Sequence, residues 1–381
     1  MSKYELVATT LFGLEAITAK ELEELGIEVL KVEDGRVTFA GDEITICQAN
    51  TWLRTAERVL IKLGEFNALT FEQLFQGTKA LPWNKWITKK ATFPVKAYSL
   101  KSKLFSVPDC QAIVKKAVVE KLKSNYNTDW FEETGPLYRI HLSLLKDRAT
   151  LMLDTSGEGL HKRGYRETSN EAPLKETLAA ALIKISRWRT DKPFIDPFCG
   201  SGTIPIEAAM IGANIAPGLK RKFVSEDWLQ LPPELWKQTR TQAEKLIKKD
   251  VELDIFGSDI DSSAVKLSKK NAVIAGVDNF VNFKCLSVSE FSPTKLYGTI
   301  ICNPPYGERL SDIETSEEIY KEIGRVFREQ NTWSYYILSP NENFETLFGK
   351  KSDKNRKLYN GMIKCYLYQY FGPRPPRTNN A

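Results

Sequence analysis

Three short stretches in the second half of the chain end apolar runs with side chains that can do chemistry: "DPFCGSGT" from Asp196, "GSDID" from Gly257 and "NPPYGERL" from Asn303. In the first, a carboxylate precedes a turn with glycines at 200 and 202. Glycine lets backbone N–H groups approach a ligand and adopts φ values closed to other residues. No lysine follows in the GxxxxGK[ST] spacing of a phosphate loop, and Thr203-Ile204-Pro205 after Gly202 breaks GxGxxG. A carboxylate at that place repels a pyrophosphate and suits a ligand carrying an ammonium and a sulfonium. Asp259, at the second strand tip, can accept from both hydroxyls of a ribose, while Asp261 stands where Asp caps a following helix. In the third stretch Asn303 offers a carbonyl oxygen and Pro304 a backbone carbonyl with no N–H beside it. Pro305 stiffens the turn and Tyr306 adds a ring. Strands also leave their sheets through Asn, Pro and Gly, so this stretch alone reads either as a pair of fixed acceptors or as a plain exit.

Other chemistry is poorly supplied. The six cysteines show no CxxC spacing and there are two histidines, so neither a zinc site nor a disulfide framework is expected, and a reduced cytoplasmic setting fits. Cys199 and Cys302 flank the stretches above, but neither has a basic partner in its own motif; both read as buried structural thiols. His161, Lys162, Arg163 and Arg166 in "GLHKRGYR" read as a loop at the substrate backbone or the cofactor edge, not as catalytic groups.

Strand ends of this kind need a sheet behind them. From about residue 174 the chain alternates helical and apolar stretches, which implies an α/β fold with a doubly wound parallel sheet. Ligands bind such sheets beyond the carboxyl ends of the strands, here 196, 259, 287 and 303. The first third reads as α+β: a strand over "KYELVATT", a helix closing at Gly26 and a hairpin turning at Asp34-Gly35. The spacing then predicts one helix over residues 43–66, another opened by Pro108-Asp109, and two strands around Lys146-Asp147. Between Lys79 and Lys123 stand eleven lysines against Asp109 and Glu120, interleaved with Trp83, Trp86, Phe93, Tyr98 and Phe105. That segment reads either as a surface for a phosphate backbone and stacked bases or as a solvated lysine face over core aromatics. With 42% hydrophobic and 27% charged residues and no apolar run of membrane-spanning length, a globular protein is expected; the first residues lack a signal-peptide core.

In this order and spacing the three stretches resemble a class I S-adenosylmethionine-dependent methyltransferase that modifies exocyclic amines. The N-terminal third resembles the ferredoxin-like and THUMP modules fused to such enzymes. "LRTAERVL", "SKLFSVPDCQAIVKKA", "GLHKRGYR" and "RKLYNG" are similar to bacterial 23S ribosomal RNA guanine-N2 methyltransferases. The resemblance implies a ferredoxin-like region over residues 1–65, a THUMP RNA-binding domain over 66–156 and a Rossmann-like methyltransferase domain over 157–381. It implies S-adenosylmethionine as cofactor, with Asp196, Gly200 and Gly202 along its methionine portion and Asp259 on its ribose. Phe198, Thr203, Ile260, Ser287 and Asn303 complete the implied cofactor site, with no metal. Such enzymes usually carry an acidic residue after the third strand for the adenine amine; "CLSVSEF" has Ser287 there instead.

An aromatic exocyclic amine is a poor nucleophile because its lone pair is delocalised into the ring. Acceptors aimed at its N–H bonds favour the tetrahedral nitrogen that methylation by direct SN2 transfer requires. Asn303, Pro304, Pro305 and Tyr306 are accordingly the catalytic candidates, with the Tyr306 ring as a face for an extruded base. The expected substrate is RNA, ribosomal ahead of transfer RNA, with no membrane partner. Two rival readings are an adenine-N6 methyltransferase acting on DNA or RNA, and a non-catalytic RNA-binding ribosome-assembly factor. The sequence carries no signal for an oligomeric state.

Overall fold

The strands assemble into two seven-stranded sheets, and in the first only Ile140–Leu145 buries every second residue. The structure is a computed structural model and describes residues 3–166, 174–307 and 310–375. It comprises two compact units, one made of the chain up to Thr10, Thr18–Leu160 and Arg221–Gln242, the other of Leu11–Ile17, His161–Lys220 and the chain from Ala243.

The first unit runs β1 (Tyr4–Thr10), α1 (Glu15–Glu24), β2 (Val29–Glu33), β3 (Arg36–Gly41), α2 (Glu43–Trp52), β4 (Ala56–Asn67), α3 (Phe71–Lys79), β5 (Val95–Leu100), α4 (Val107–Tyr126), β6 (Ile140–Leu145) and β7 (Arg148–Asp154), with sheet order β2-β3-β1-β4-β7-β6-β5. The helix expected over 43–66 is thus wrong beyond Trp52. Asp42 caps α2 by accepting from the Thr45 N–H, and the chain turns extended at Leu53. It then forms β4, paired antiparallel to β1 (Leu6↔Ile61) and to β7 (Leu60↔Asp154). A central strand is covered on both faces, so its apolar residues need not alternate and can mimic helical spacing. The expected division at residue 65 falls inside β4.

Asp154, at the end of β7, is fully buried beside two guanidinium groups, Arg58 at 2.6 Å and Arg139 at 3.3 Å, and the His141 imidazole at 3.5 Å. Burial alone would raise its pKa, but His141 and Arg58 outweigh it and hold the carboxyl below its ordinary value. The aromatics of the lysine-rich segment divide. Trp83, Trp86 and Phe93 are core, whereas Tyr98 (53% exposed) on edge strand β5 and Phe105 (82%) face outward with Lys96, Lys101 and Lys103.

The second unit carries α5 (Glu176–Ser186), β8 (Phe194–Asp196), α6 (Thr203–Gly212), the end of α7 (Pro233–Lys245), β9 (Ile255–Asp259), α8 (Ser262–Ala275), β10 (Val281–Cys285), β11 (Thr299–Cys302), α9 (Leu310–Arg328), β12 (Ser334–Ser339), α10 (Phe344–Phe348), β13 (Lys354–Asn360) and β14 (Ile363–Tyr370). The order is β10-β9-β8-β11-β12-β14-β13. The first five strands are parallel, as expected; β14 lies antiparallel to β12 and pairs with β13 in a C-terminal hairpin. From β8 the chain builds outward to β10, then returns to place β11 on the other side. The switch in strand order therefore lies between β8 and β11, where such sheets bind ligands.

Candidate active site

Because β8 and β11 are neighbours (Thr299↔Phe194, Ile300↔Ile195), Asp196 and Asn303 leave the sheet on adjacent strands. Every residue of both strands is buried, which fixes the two exits rigidly. Asp196 is 1% exposed, and its Oδ1 accepts one N–H, from Phe198 at 3.0 Å. Burial pushes its carboxyl well above the usual range; the Phe198 N–H opposes this and the nearby Asp259 charge adds to it. A buried carboxyl so placed is ionised most readily by a cationic ligand. The turn beside it uses both glycines: Gly200 has φ +50° and Gly202, the cap of α6, φ +84°. A Cβ on Gly202 would lie 2.8 Å from Ser268 Cβ, whereas one on Gly200 would meet nothing within 4 Å, so the space over Gly200 is open.

Asp259 stands on the next strand tip, half-buried, accepting the Gly200 N–H at 2.9 Å on one oxygen and the Asp261 N–H at 3.0 Å on the other. Each carboxylate oxygen keeps a further lone pair for a hydroxyl. Asp261 caps α8 as expected, accepting from the Ser263 N–H. Ile260, 76% exposed between the two carboxylates, offers an apolar face at the rim. Phe198 is half-buried against the core behind β11. Ser287 caps a short turn of helix: its Oγ accepts from the Ser289 N–H and the Ser289 hydroxyl, and its own N–H donates to Glu290. What it retains for a ligand is its own proton.

At the end of β11, Asn303 is half-buried and Pro304 buried, and the Pro305 carbonyl accepts the Tyr320 hydroxyl from α9 at 2.9 Å. The Tyr306 hydroxyl donates to Asn303 Oδ1. Its oxygen accepts in turn from Asn360 Nδ2 at 3.3 Å, with Cys365 Sγ at 3.7 Å. The ring expected to offer a stacking face is tethered by its hydroxyl and, half-buried, packs against a core that includes residues of α5 and α6. Cys302 and Cys199 are buried thiols whose pKa values burial drives upward, Cys302 well above its ordinary value.

The "GLHKRGYR" loop divides as well. Arg163, expected at a substrate backbone or cofactor edge, is 3% exposed and pairs at 3.3 Å with the fully buried Glu207 of α6, which also accepts the Tyr165 hydroxyl. Arg166 donates to the buried Thr203 hydroxyl at the start of α6 and lies 3.4 Å from Glu176. Glu207, Tyr320 and Asn360 are the supporting residues that sequence reasoning missed; only their packing against the motifs reveals them. Among the described residues no group of three or more His, Cys, Asp or Glu could hold a metal ion. The apolar cavity lined by Met210, Leu219, Ile247, Ala275 and Phe280 lies at the far ends of α6 and α8 and does not reach these strand tips.

Three family profiles match the chain: "RMKL-like, methyltransferase domain" over residues 163–369, "RlmL ferredoxin-like domain" over 5–60 and "THUMP domain" over 68–154. YpsC of Bacillus subtilis (strain 168), described as a candidate RNA methyltransferase, is 51% identical over 386 residues, covering 100% of both chains. A Listeria monocytogenes structure described as a predicted N6-adenine-specific DNA methylase is 50% identical, with a TM-score of 0.93 over 98% of this chain and 97% of that one. SMU.472, a candidate methyltransferase solved with S-adenosylhomocysteine, is 47% identical with a TM-score of 0.92, covering 98% of this chain and 100% of that one.

Proposed function

Because the chain belongs to the THUMP-containing, S-adenosylmethionine-dependent RNA methyltransferases, we propose that it methylates the exocyclic N2 amine of a guanine, in 23S ribosomal RNA. The observation that carries the chemistry is the pairing of Asn303 with Asp196 on neighbouring strand tips: a fixed amide acceptor beside a buried carboxyl that favours a cation. The motifs shared with guanine-N2 enzymes support the choice of base, and the THUMP module supports RNA over DNA.

S-adenosylmethionine supplies the methyl group and departs as S-adenosylhomocysteine. Asp196 and the turn through Gly200, Gly202 and Thr203 hold its methionine end, Asp259 its ribose, and Ile260 and Ser287 its adenine. The amide oxygen of Asn303 accepts from Tyr306 and keeps one lone pair for an N–H of the target amine. The Pro304 carbonyl accepts the other N–H, and Pro305 and its bond to Tyr320 hold the turn. With both N–H bonds engaged, the nitrogen lone pair localises and lies in line with the methyl carbon. Nitrogen forms the new bond, and the extra proton leaves to water, so no catalytic base is required. Residues 66–156 engage the RNA, and the enzyme works in the cytoplasm. Mass spectrometry of 23S ribosomal RNA nucleosides from cells with and without the gene tests the reading. Loss of one N2-methylguanosine is expected; loss of N6-methyladenine, from RNA or DNA, would replace guanine as the substrate.

A further inference from the structure

The C-terminal hairpin brings unexpected residues to the mouth of this site. β13 is the edge strand of the sheet and is rich in cations: from Lys350 to Lys364 the chain holds Lys350, Lys351, Lys354, Arg356, Lys357 and Lys364 against Asp353 alone. The hairpin turn between Asn360 and Ile363 has glycine at its first position, Gly361 at φ +61°, and Met362 at its second. That second place needs no apolar residue, yet Met362 is 98% exposed. At the end of β13, the Tyr359 ring is met edge-on by Phe12, 48% exposed, with centroids 6.3 Å apart, and Lys357 Nζ lies 5.4 Å from the same ring. Phe12 comes from the N-terminal segment that belongs to the second unit; its neighbour Gly13 sits so close to the Lys357 carbonyl that a Cβ there would approach to 3.2 Å. This patch is continuous with the catalytic turn, because Asn360 donates to the Tyr306 hydroxyl.

We propose that the β13–β14 turn, with Phe12 packed beside it, is the platform for the RNA strand flanking the target nucleotide. Phe12, Tyr359 and Met362 lie against the neighbouring base while Lys357, on the same face of β13 as Tyr359, meets its phosphate. An exposed ring and a thioether beside lysines suit a single strand, since bases stack irrespective of sequence and phosphates require positive charge. The platform rests on the RNA reading of the site and holds whichever base is methylated.

The test is photo-crosslinking of the full chain to total cellular RNA carrying 4-thiouridine, with adducts mapped by mass spectrometry. Adducts on Phe12, Tyr359 or Met362 are expected. A Phe12→Ser/Met362→Ser double variant, melting as wild type does, should lose those adducts and bind the same RNA about five- to a hundredfold more weakly, the range for losing one base stack. Adducts confined to other surfaces, or unchanged RNA affinity in the folded double variant, would overturn the proposal. Discovery of N6-methyladenine as product would sink the guanine assignment and leave this one standing.

Discussion

One amide oxygen at Asn303 serves two partners, and that sharing sets what its neighbours can do. The Tyr306 hydroxyl turns the carboxamide so that its oxygen is fixed before substrate arrives. Tyr306→Phe keeps the ring but loses this hydrogen bond, worth about 0.5–1.5 kcal/mol. We expect kcat to fall about two- to tenfold with KM nearly unchanged; a variant at full speed would show that the tether is dispensable. Asp196 predicts a proton effect. Its folded pKa is raised by burial, so its contribution to stability is full below the unfolded value and is lost as pH rises through the raised one. A cationic cofactor favours the ionised form, so S-adenosylmethionine binding should release a proton at pH values below that raised pKa. Calorimetry in buffers of different ionisation enthalpy reads the release directly. Asp196→Asn should abolish it and weaken binding at least tenfold, and equal proton release by variant and wild type would contradict the role given to Asp196. Asp196 and Asn303 were legible in the sequence because strand-end Asp-Pro and Asn-Pro-Pro are locally unusual. Asn360 was not, since its position beside Tyr306 comes only from a hairpin folding back over the site.

Among the elements, α6 is held by charge as well as by apolar packing. Glu207 and Arg163 are buried together, and losing one member of a buried pair costs about 3–5 kcal/mol because the other stays desolvated. Glu207→Ala should therefore lower the melting temperature markedly and loosen the cofactor turn that α6 begins, whereas Glu207→Gln, which still accepts from Tyr165, should lose less. Thermal unfolding of the two variants checks this, and a Glu207→Ala protein as stable as wild type would refute it. The parallel strands β8, β9, β11 and β12 were readable because each is a short, mostly apolar run that ends in Asp or leads into Pro, and β10 because Val281 and Phe283 alternate with Asn282 and Lys284. The β13–β14 hairpin was not, because lysines on an edge strand that discourage edge-to-edge pairing also erase its alternation. β4 misled for the opposite reason: covered on both faces, it shows too much apolar character to betray a period of two.

On the scale of the whole molecule, each of the two seven-stranded sheets carries a tyrosine beside lysines on an edge strand, the exposed Tyr98 of β5 in one unit and the half-buried Tyr359 of β13 in the other. In the lysine-rich segment, which read two ways in sequence, the tryptophans are core, while Tyr98, Phe105 and the lysines beside them face solvent. The central claim is that Asn303 directs methyl transfer to a guanine amine, and it is tested most directly with unmodified 23S ribosomal RNA, isotopically labelled S-adenosylmethionine and nucleoside mass spectrometry. Wild type should place the label in N2-methylguanosine, and Asn303→Ala should do so about 10²–10³ times more slowly with cofactor affinity within twofold. Label in N6-methyladenosine, or an Asn303→Ala enzyme that methylates at the wild-type rate, would contradict it.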